Sequence, residues 1–378
     1  MNKLDEVLTK GVQDVLPTKE SLRELLLNRK ITLYQGFDPT GPSLQIGHLI
    51  GVRKLAQFQE LGHRVIFLIG DFTAMIGDPT DKKAVRTKLS KDDVIKNLRD
   101  YKKQVEKVLK FTGSNPAEIM FNSAWLSKLT FEQILELSSN FTVQQLLERD
   151  MFVNRLKEKK PIYLHEFMYP LMQGYDSVAM DVDMEIGGND QLFNMLAGRI
   201  LMKNLKNKEK FVLTMKLLVD PEGKKMGKSE GNAIFLSDSA HDIFGKVMTF
   251  PDPMLPLAIE LLTDLPLDTA QKVGPMDAKK ALAYEVVKQI HGEDKAQEAK
   301  SHFEKTFQKK APDYSLEIKN KKTLLATIGE LVGSTSEAKR LISQGAVDVD
   351  GKTIEDGSHE LKGKEKLKIG KRIFVTVK

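Results

Sequence analysis

Between Tyr34 and Gly51 the chain reads YQGFDPTGPSLQIGHLIG. An apolar, aromatic run enters a turn rich in glycine and proline, and a helix is expected to begin near Ile46 to His48. The free N–H groups and positive dipole end of such a helix start favour phosphate. Gly36 and Gly47 let a ligand approach the backbone closely, and Thr40, Gln45 and His48 add donors. The same residues also describe a Gly/Pro turn before an ordinary core helix. A second stretch, KKMGKS, places Lys225 and Lys228 around Gly227, with Ser229 next. Two such lysines can bracket a triphosphate and meet the charge that builds on departing pyrophosphate. It is not a P-loop: three residues separate Gly223 from Gly227, where that motif needs four. An exposed basic turn is the alternative. A third stretch, YPLMQGYD, sets Tyr169, Gln173 and Asp176 on one face of a helix among apolar neighbours. Buried there, they need partners or a ligand; a solvent-facing stripe is the other reading. Asp78 follows an expected strand, with Lys82 and Arg86 beyond it, and Gly188, Asp190 and Gln191 stand at an expected loop-to-helix junction. Ordinary turn chemistry and surface charge would also account for these two segments.

The elements that must position these residues alternate. ITLYQGF, RVIFLIGDF and EIMFN read as strands, and GHLIGVRKLAQFQELGH as a helix stopped at Gly62. DDVIKNLRDYKKQVEKVLKF reads as one long amphipathic helix with an acidic start and a basic finish. Alternation of this kind predicts an α/β, Rossmann-like parallel sheet covered by helices, with ligands at the carboxyl ends of the strands. From about Asn232 to Lys310 the pattern is mostly helical, punctuated by Pro251, Pro253 and Pro256. Beyond the APDYS linker, KTLLATIGELV and SEAKRLISQG read as helices, and VDVDG, KLKIG and RIFVTV as strands of a small α+β module. Three domains are expected, over 1–231, 232–310 and 311–378.

The 378 residues are 41% hydrophobic and 29% charged, a composition that can fold without staples. There is no cysteine, which excludes disulfide scaffolds, thiolate-ligated metals and thiol nucleophiles. The N-terminal residues lack an apolar signal core, and no run is long enough to span a bilayer, so a cytoplasmic protein with no membrane partner is expected. No metal site is expected in the protein itself. The net charge is +6, and seven basic residues against Glu365 within the last 17 residues account for all of it. That tail is either a solvated face or a contact for a polyanion such as nucleic acid.

Taken together, these segments resemble the bacterial tyrosyl-tRNA synthetases, class I enzymes. QIGH (45–48) resembles the HIGH signature, and KMGKS (225–229) resembles KMSKS. YQGFDPT, IGDPTDKKAVR, YPLMQGYD and GGNDQ match further family segments in order, and SEAKRLISQGAVDVDGKTI resembles an S-four-like RNA-binding module. The resemblance covers essentially the whole chain. It implies a catalytic domain, a helical anticodon-side domain and an RNA-binding domain. It implies tyrosine activation with Mg2+ and ATP to tyrosyl-adenylate and pyrophosphate, then transfer to the 3′ end of tRNA(Tyr), by a homodimer with an interface around 121–152. Carried over by position, Tyr34 and Asp176 contact the substrate phenol. Asp78, Tyr169 and Gln173 hold its ammonium, and Gln191 lies near the reacting carboxylate. Gly36 marks the close backbone approach, while Asp38, Gly47, His48, Gly188 and Asp190 surround the adenosine. Thr40, Gln45, Lys82, Arg86, Lys225, Lys228 and Ser229 embrace the phosphates.

Two positions depart from the family pattern, Gln45 where histidine is usual and Gly227 where serine is usual. A tryptophanyl-tRNA synthetase is the nearest rival, disfavoured because indole offers Tyr34 and Asp176 no hydroxyl. A non-catalytic RNA-binding relative leaves the phosphate-binding set unexplained. Another small-molecule nucleotidyltransferase leaves the helical and RNA-type segments unexplained.

Overall fold

The computed structural model describes residues 2–79, 89–226, 233–308, 314, 316–370 and 373–378. They pack as two compact units, residues 1–238 with 250–292, and residues 239–249 with 293–378.

The first unit is built on six strands: β1 (Val12–Leu16), β2 (Thr32–Phe37), β3 (Arg64–Ile69), β4 (Glu118–Phe121), β5 (Met184–Gly188) and β6 (Phe211–Met215). Their order is β1-β6-β5-β2-β3-β4, parallel except for β1, which runs antiparallel to β6. β3 and β6 are near-continuous buried apolar runs, as a sheet covered on both faces requires. From β2 the chain steps outward through β3 and β4, then returns to the other side of β2 with β5 and β6. The strand order therefore reverses between β2 and β5, where open α/β sheets hold their ligands. β1, β5 and β6 are not among the strands the sequence pattern suggests. β1 is a short edge interrupted by Gln13 and Asp14, with a register shift between Val12 and Asp14.

One expectation is corrected. The long helix over 92–111 is broken into Lys91–Leu98 and Tyr101–Val105, with Asp100 outside helical geometry at φ −106°, ψ 5°. Its side chains grip a loop, described below, and that tertiary demand overrides the helical period. The helices of the segment over 232–310 are divided between the two compact units. Helices Leu255–Leu262 and Pro275–His291 belong to the sheet unit. Glu260 ties the first of them down, accepting from Lys216 at 2.8 Å and from the Gly11 N–H at 2.9 Å. Helices Ala240–Val247 and Glu293–Phe303 belong to the second unit.

The second unit carries a five-stranded sheet of β7 (Glu317–Ile318), β8 (Val347–Val349), β9 (Lys352–Thr353), β10 (Lys366–Ile369) and β11 (Ile373–Val377), ordered β7-β11-β10-β8-β9. Helices Leu324–Leu331 and Thr335–Ser343 join it around Leu324, Ile328, Ile342, Val347, Leu367 and Val375. Among the described residues no helix is long and apolar enough to cross a membrane.

Candidate active site

The polar side chains converge where β2, β3, β4 and β5 end. Asp38 follows β2 directly and accepts from Thr73 Oγ1 at 2.8 Å and from the Tyr169 hydroxyl at 2.7 Å. Gly70, the residue directly after β3, makes this possible, since a Cβ there would lie 1.9 Å from Asp38 Oδ1. Burial pushes the Asp38 carboxyl up to about 7, aided by Asp78 and Asp71 and opposed by its two hydrogen bonds.

The loop after Asp38 is held from the broken helix. Asn97 Nδ2 donates to the Pro39 carbonyl at 2.9 Å, and the Tyr101 hydroxyl to the Gly41 carbonyl at 2.8 Å. Gln104 accepts from the Leu44 N–H at 2.8 Å and donates to the Pro42 carbonyl at 3.1 Å. This loop delivers Gln45 as the N-cap of helix Ile46–Glu60. The Gln45 N–H donates to His48 Nδ1 at 2.9 Å. An accepting Nδ1 leaves the ring proton on Nε2 of a neutral imidazole. Burial, with Lys225 nearby, lowers the His48 pKa to about 4 and so keeps the ring neutral. Among the described residues nothing beyond its own helix lies within 4 Å of a Cβ built on Gly47, and Leu68 Cδ2, at 3.9 Å, is what approaches one on Gly36. Thr40 is exposed at the mouth of the same loop.

Helix Leu164–Met180 carries Tyr169, Gln173 and Asp176, as its spacing predicts. It sits close to helix Leu192–Lys206 because Gly174 meets Gly198; a Cβ at Gly174 would lie 3.0 Å from Gly198 N. Tyr34, fully buried on β2, shares a 2.9 Å hydrogen bond with Ser177 Oγ. Asp176 accepts from Trp125 Nε1 at 2.7 Å and Asn122 Nδ2 at 3.3 Å. Burial pushes the Asp176 carboxyl well above the usual carboxylate range, against those two bonds and with Glu185 and Asp38 adding to it. The Tyr34 hydroxyl is likewise pushed up by burial, with Glu185 and Asp176 contributing. A phenol arriving there would find a hydroxyl and a carboxyl oxygen already oriented.

Beyond β5, Gln191 Nε2 donates to Asp78 Oδ2 at 2.7 Å and its Oε1 accepts from Asn194 at 2.8 Å. Lys225 Nζ pairs with Asp190 Oδ2 at 2.6 Å. Gly188 makes room for that carboxylate, since a Cβ there would lie 2.5 Å from Asp190 Oδ1. The structure thus brings together Tyr34, Asp38, Asp78, Tyr169, Gln173, Asp176, Gly188, Asp190, Gln191 and Lys225 at one end of the sheet. Lys82, Arg86, Lys228 and Ser229 lie outside the described residues.

Several neighbours escape sequence reasoning. Asn122 follows β4, so strand-end reasoning could have found it, whereas Thr73 and Ser177 carry no such signal. Glu185 and Lys210 are charges within or beside apolar strands and both are buried, a signal that they are paired. Arg149 is also buried, its guanidinium 5.0 Å from the Phe193 ring centroid. Among the described residues, no group of three or more histidine or acidic side chains could hold a metal ion.

The model for class I tRNA synthetases of the tryptophan and tyrosine type matches residues 26–308. The S4 domain model matches residues 330–367. A tyrosine–tRNA ligase of Thermotoga maritima is 40% identical, over 98% of this chain and 96% of its own. One of Haemophilus ducreyi is 43% identical, over 98% and 97%. This chain belongs to the tyrosine–tRNA ligase family. In fold, this family member resembles the mitochondrial tyrosyl-tRNA synthetase of Aspergillus nidulans, with TM-score 0.67, 23% identity, and 81% and 94% of the two chains covered. It also resembles the Archaeoglobus fulgidus enzyme solved with L-tyrosine, at TM-score 0.62, 21% identity, and 79% and 98% coverage. The α/β sheet with its C-terminal S4 domain is therefore a tyrosine–tRNA ligase architecture.

Proposed function

We propose that the protein activates L-tyrosine with ATP, releases pyrophosphate, and passes the tyrosyl group from the adenylate to the 3′ end of tRNA(Tyr). The observation that carries this reading is the convergence of Tyr34, Asp176, Tyr169, Gln173 and Asp78 at the point where the strand order reverses. Such a site suits an amino acid bearing a phenol at one end and an ammonium at the other. The tyrosine carboxylate is itself the nucleophile. One of its oxygens bonds to the α-phosphorus of ATP as the bond to pyrophosphate breaks, so no general base is required. Acceleration then comes from placement and from charge stabilisation at the pentacoordinate phosphorus.

In this reading, Tyr34 and Asp176 hold the phenol, and Asp78, Tyr169 and Gln173 hold the ammonium. Gln191 lies beside the reacting carboxylate. Asp38, Gly36, Gly47, His48, Gly188 and Asp190 surround the adenosine. Thr40, Gln45, Lys82, Arg86, Lys225, Lys228 and Ser229 act on the phosphates, with Mg2+ arriving on the triphosphate. Lys225 leaves Asp190 to meet the leaving group, and an interaction made only in the transition state raises kcat. In the second step the terminal ribose hydroxyl of tRNA attacks the tyrosyl carbonyl and AMP departs. The basic S4 module grips the tRNA. A homodimer, joined through the exposed apolar residues Phe131, Leu135 and Val143, completes the assembly in the cytoplasm.

Amino-acid-dependent ATP–pyrophosphate exchange with tyrosine, phenylalanine and tryptophan tests the reading. Exchange with tyrosine alone is the expected result. Exchange favouring tryptophan, or none with any of the three, would overturn it.

A further inference from the structure

Behind the proposed ammonium site lies a buried ion pair to which no role has yet been given. Lys210 Nζ bonds to Glu185 Oε2 and, at 3.1 Å, to the Met195 carbonyl, and both side chains are buried. The other oxygen, Glu185 Oε1, accepts from Gln173 Nε2 at 2.9 Å. Lys210 Nζ also lies 5.9 Å from the Tyr34 ring centroid. The backbone is shaped around the pair, since a Cβ on Gly198 would sit 2.4 Å from Lys210 Nζ.

We propose that Lys210 and Glu185 are positioning residues for tyrosine recognition, because together they fix which end of the Gln173 amide faces the substrate. An ionised carboxylate only accepts hydrogen bonds, so Gln173 must offer it the NH2 group. The Gln173 carbonyl oxygen is then the atom left to receive an ammonium. Lys210 supplies the countercharge that the buried Glu185 carboxylate needs and holds its other oxygen away from Gln173. Burial lowers the lysine's own pKa, and Glu185 opposes that shift. Without Lys210, Glu185 Oε2 loses the partner that holds the carboxyl in place, and Gln173 loses the fixed acceptor for its NH2 group. The amide then turns, and its NH2 faces the substrate ammonium. Glu185→Gln alone does the same by another route, since its oxygen stays with Lys210 and its NH2 turns to Gln173. The double variant Glu185→Gln/Lys210→Met removes the competing cation, so the new amide oxygen is free to accept from Gln173.

This inference rests on the reading of Gln173 as an ammonium contact. Pyrophosphate exchange by the unaltered protein tests that reading separately, and Gln173→Ala should raise KM for tyrosine. Lys210→Met is expected to raise KM for tyrosine about 10- to 100-fold, the weight of a hydrogen bond to a charged group, with KM for ATP unchanged. The double variant is expected to recover most of that loss. Gln173→Ala added to Lys210→Met should raise KM little further, because the amide is already misdirected. KM does not depend on the folded fraction, so loss of stability alone leaves these comparisons readable. Equal rises in KM for tyrosine and ATP would overturn the inference. So would full additivity of Lys210→Met with Gln173→Ala, or no recovery in the double variant.

Discussion

At the scale of single residues the site is a set of buried polar groups whose partners decide their charge. Tyr34 bonds to Ser177, and Asp176 accepts from Trp125 and Asn122. In the proposed reading a substrate hydroxyl adds a further bond to Tyr34 and Asp176 that phenylalanine cannot make, so selection of tyrosine rests on that added bond. Sites of this enzyme family that bond the substrate hydroxyl reject the analogue lacking it by about 10⁵. Tyr34→Phe should narrow the ratio of kcat/KM for tyrosine over phenylalanine by about 10-fold, one hydrogen bond's worth. An unchanged ratio would remove Tyr34 from recognition. Gln45 stands where the family usually has histidine. Gln45→Ala should lower kcat for adenylate formation about 100-fold if its side chain meets phosphate in the transition state, while Gln45→His should preserve or raise it. Equal rates for Gln45→Ala and the parent would refute that role.

The histidines make a further residue-scale prediction. His48 and His63 both have pKa values lowered to about 4 by burial. The unfolded chain, with histidine near 6.5, binds more protons than the fold between those values. Their neutral burial therefore contributes stability that is complete above pH 6.5 and is lost as the pH falls toward 4. Asp38, raised to about 7, biases the parent slope the other way, so the comparison must be made between variants. His63 Nδ1 accepts from the Ile31 N–H at 3.3 Å, a bond that asparagine can imitate. His63→Asn should flatten the fall in urea midpoint between pH 6.5 and 4.5 by an amount equivalent to about 2 kcal/mol. A slope identical to the parent's would exclude His63 as a contributor.

At the scale of elements, precision comes from close approach and from a helix that gives up its regularity. Helices Leu164–Met180 and Leu192–Lys206 meet through Gly174 and Gly198, and this contact sets where Tyr169, Gln173 and Asp176 stand relative to β5. Gly174→Ala would press a methyl against Gly198 N and Ala197 C, at 3.0 and 3.1 Å. Overpacking of this kind costs about 1–3 kcal/mol. It should lower the melting temperature and raise KM for tyrosine together. A loss of stability with no change in KM would mean that the helix pair is only scaffold. The break between Lys91–Leu98 and Tyr101–Val105 lets Asn97, Tyr101 and Gln104 hold the loop that leads to Gln45 and His48, which in the proposed reading face ATP.

At the scale of the whole molecule the S4 module has its own core, drawn from residues 318 to 377. Deleting residues 315–378 should leave pyrophosphate exchange near the parent level, since none of the site residues lies there. Aminoacylation should fall by about 10²-fold or more, as when one of two linked binding modules is removed. The steep salt dependence of tRNA binding should weaken with it. Equal losses in exchange and charging would count against the module's assigned role.

Spacing and residue type were enough to place Tyr34, Asp38 and Thr40 on one strand and its turn, Gln45 to His48 at a helix start, and Tyr169, Gln173 and Asp176 on one helical face. Periodicity reports which residues share an element, and turn chemistry reports where elements end, because both arise from neighbours along the chain. The partnership of Asp38 with Thr73 and Tyr169, the loop grip of Asn97, Tyr101 and Gln104, and the pairing of Glu185 with Lys210 and Gln173 join residues far apart or on different elements. Such contacts, and the carboxyl and imidazole pKa values they set, follow from the order in which six strands line up and from the water excluded between them. Neither is written in local pattern, so these relations became visible only once the chain was folded.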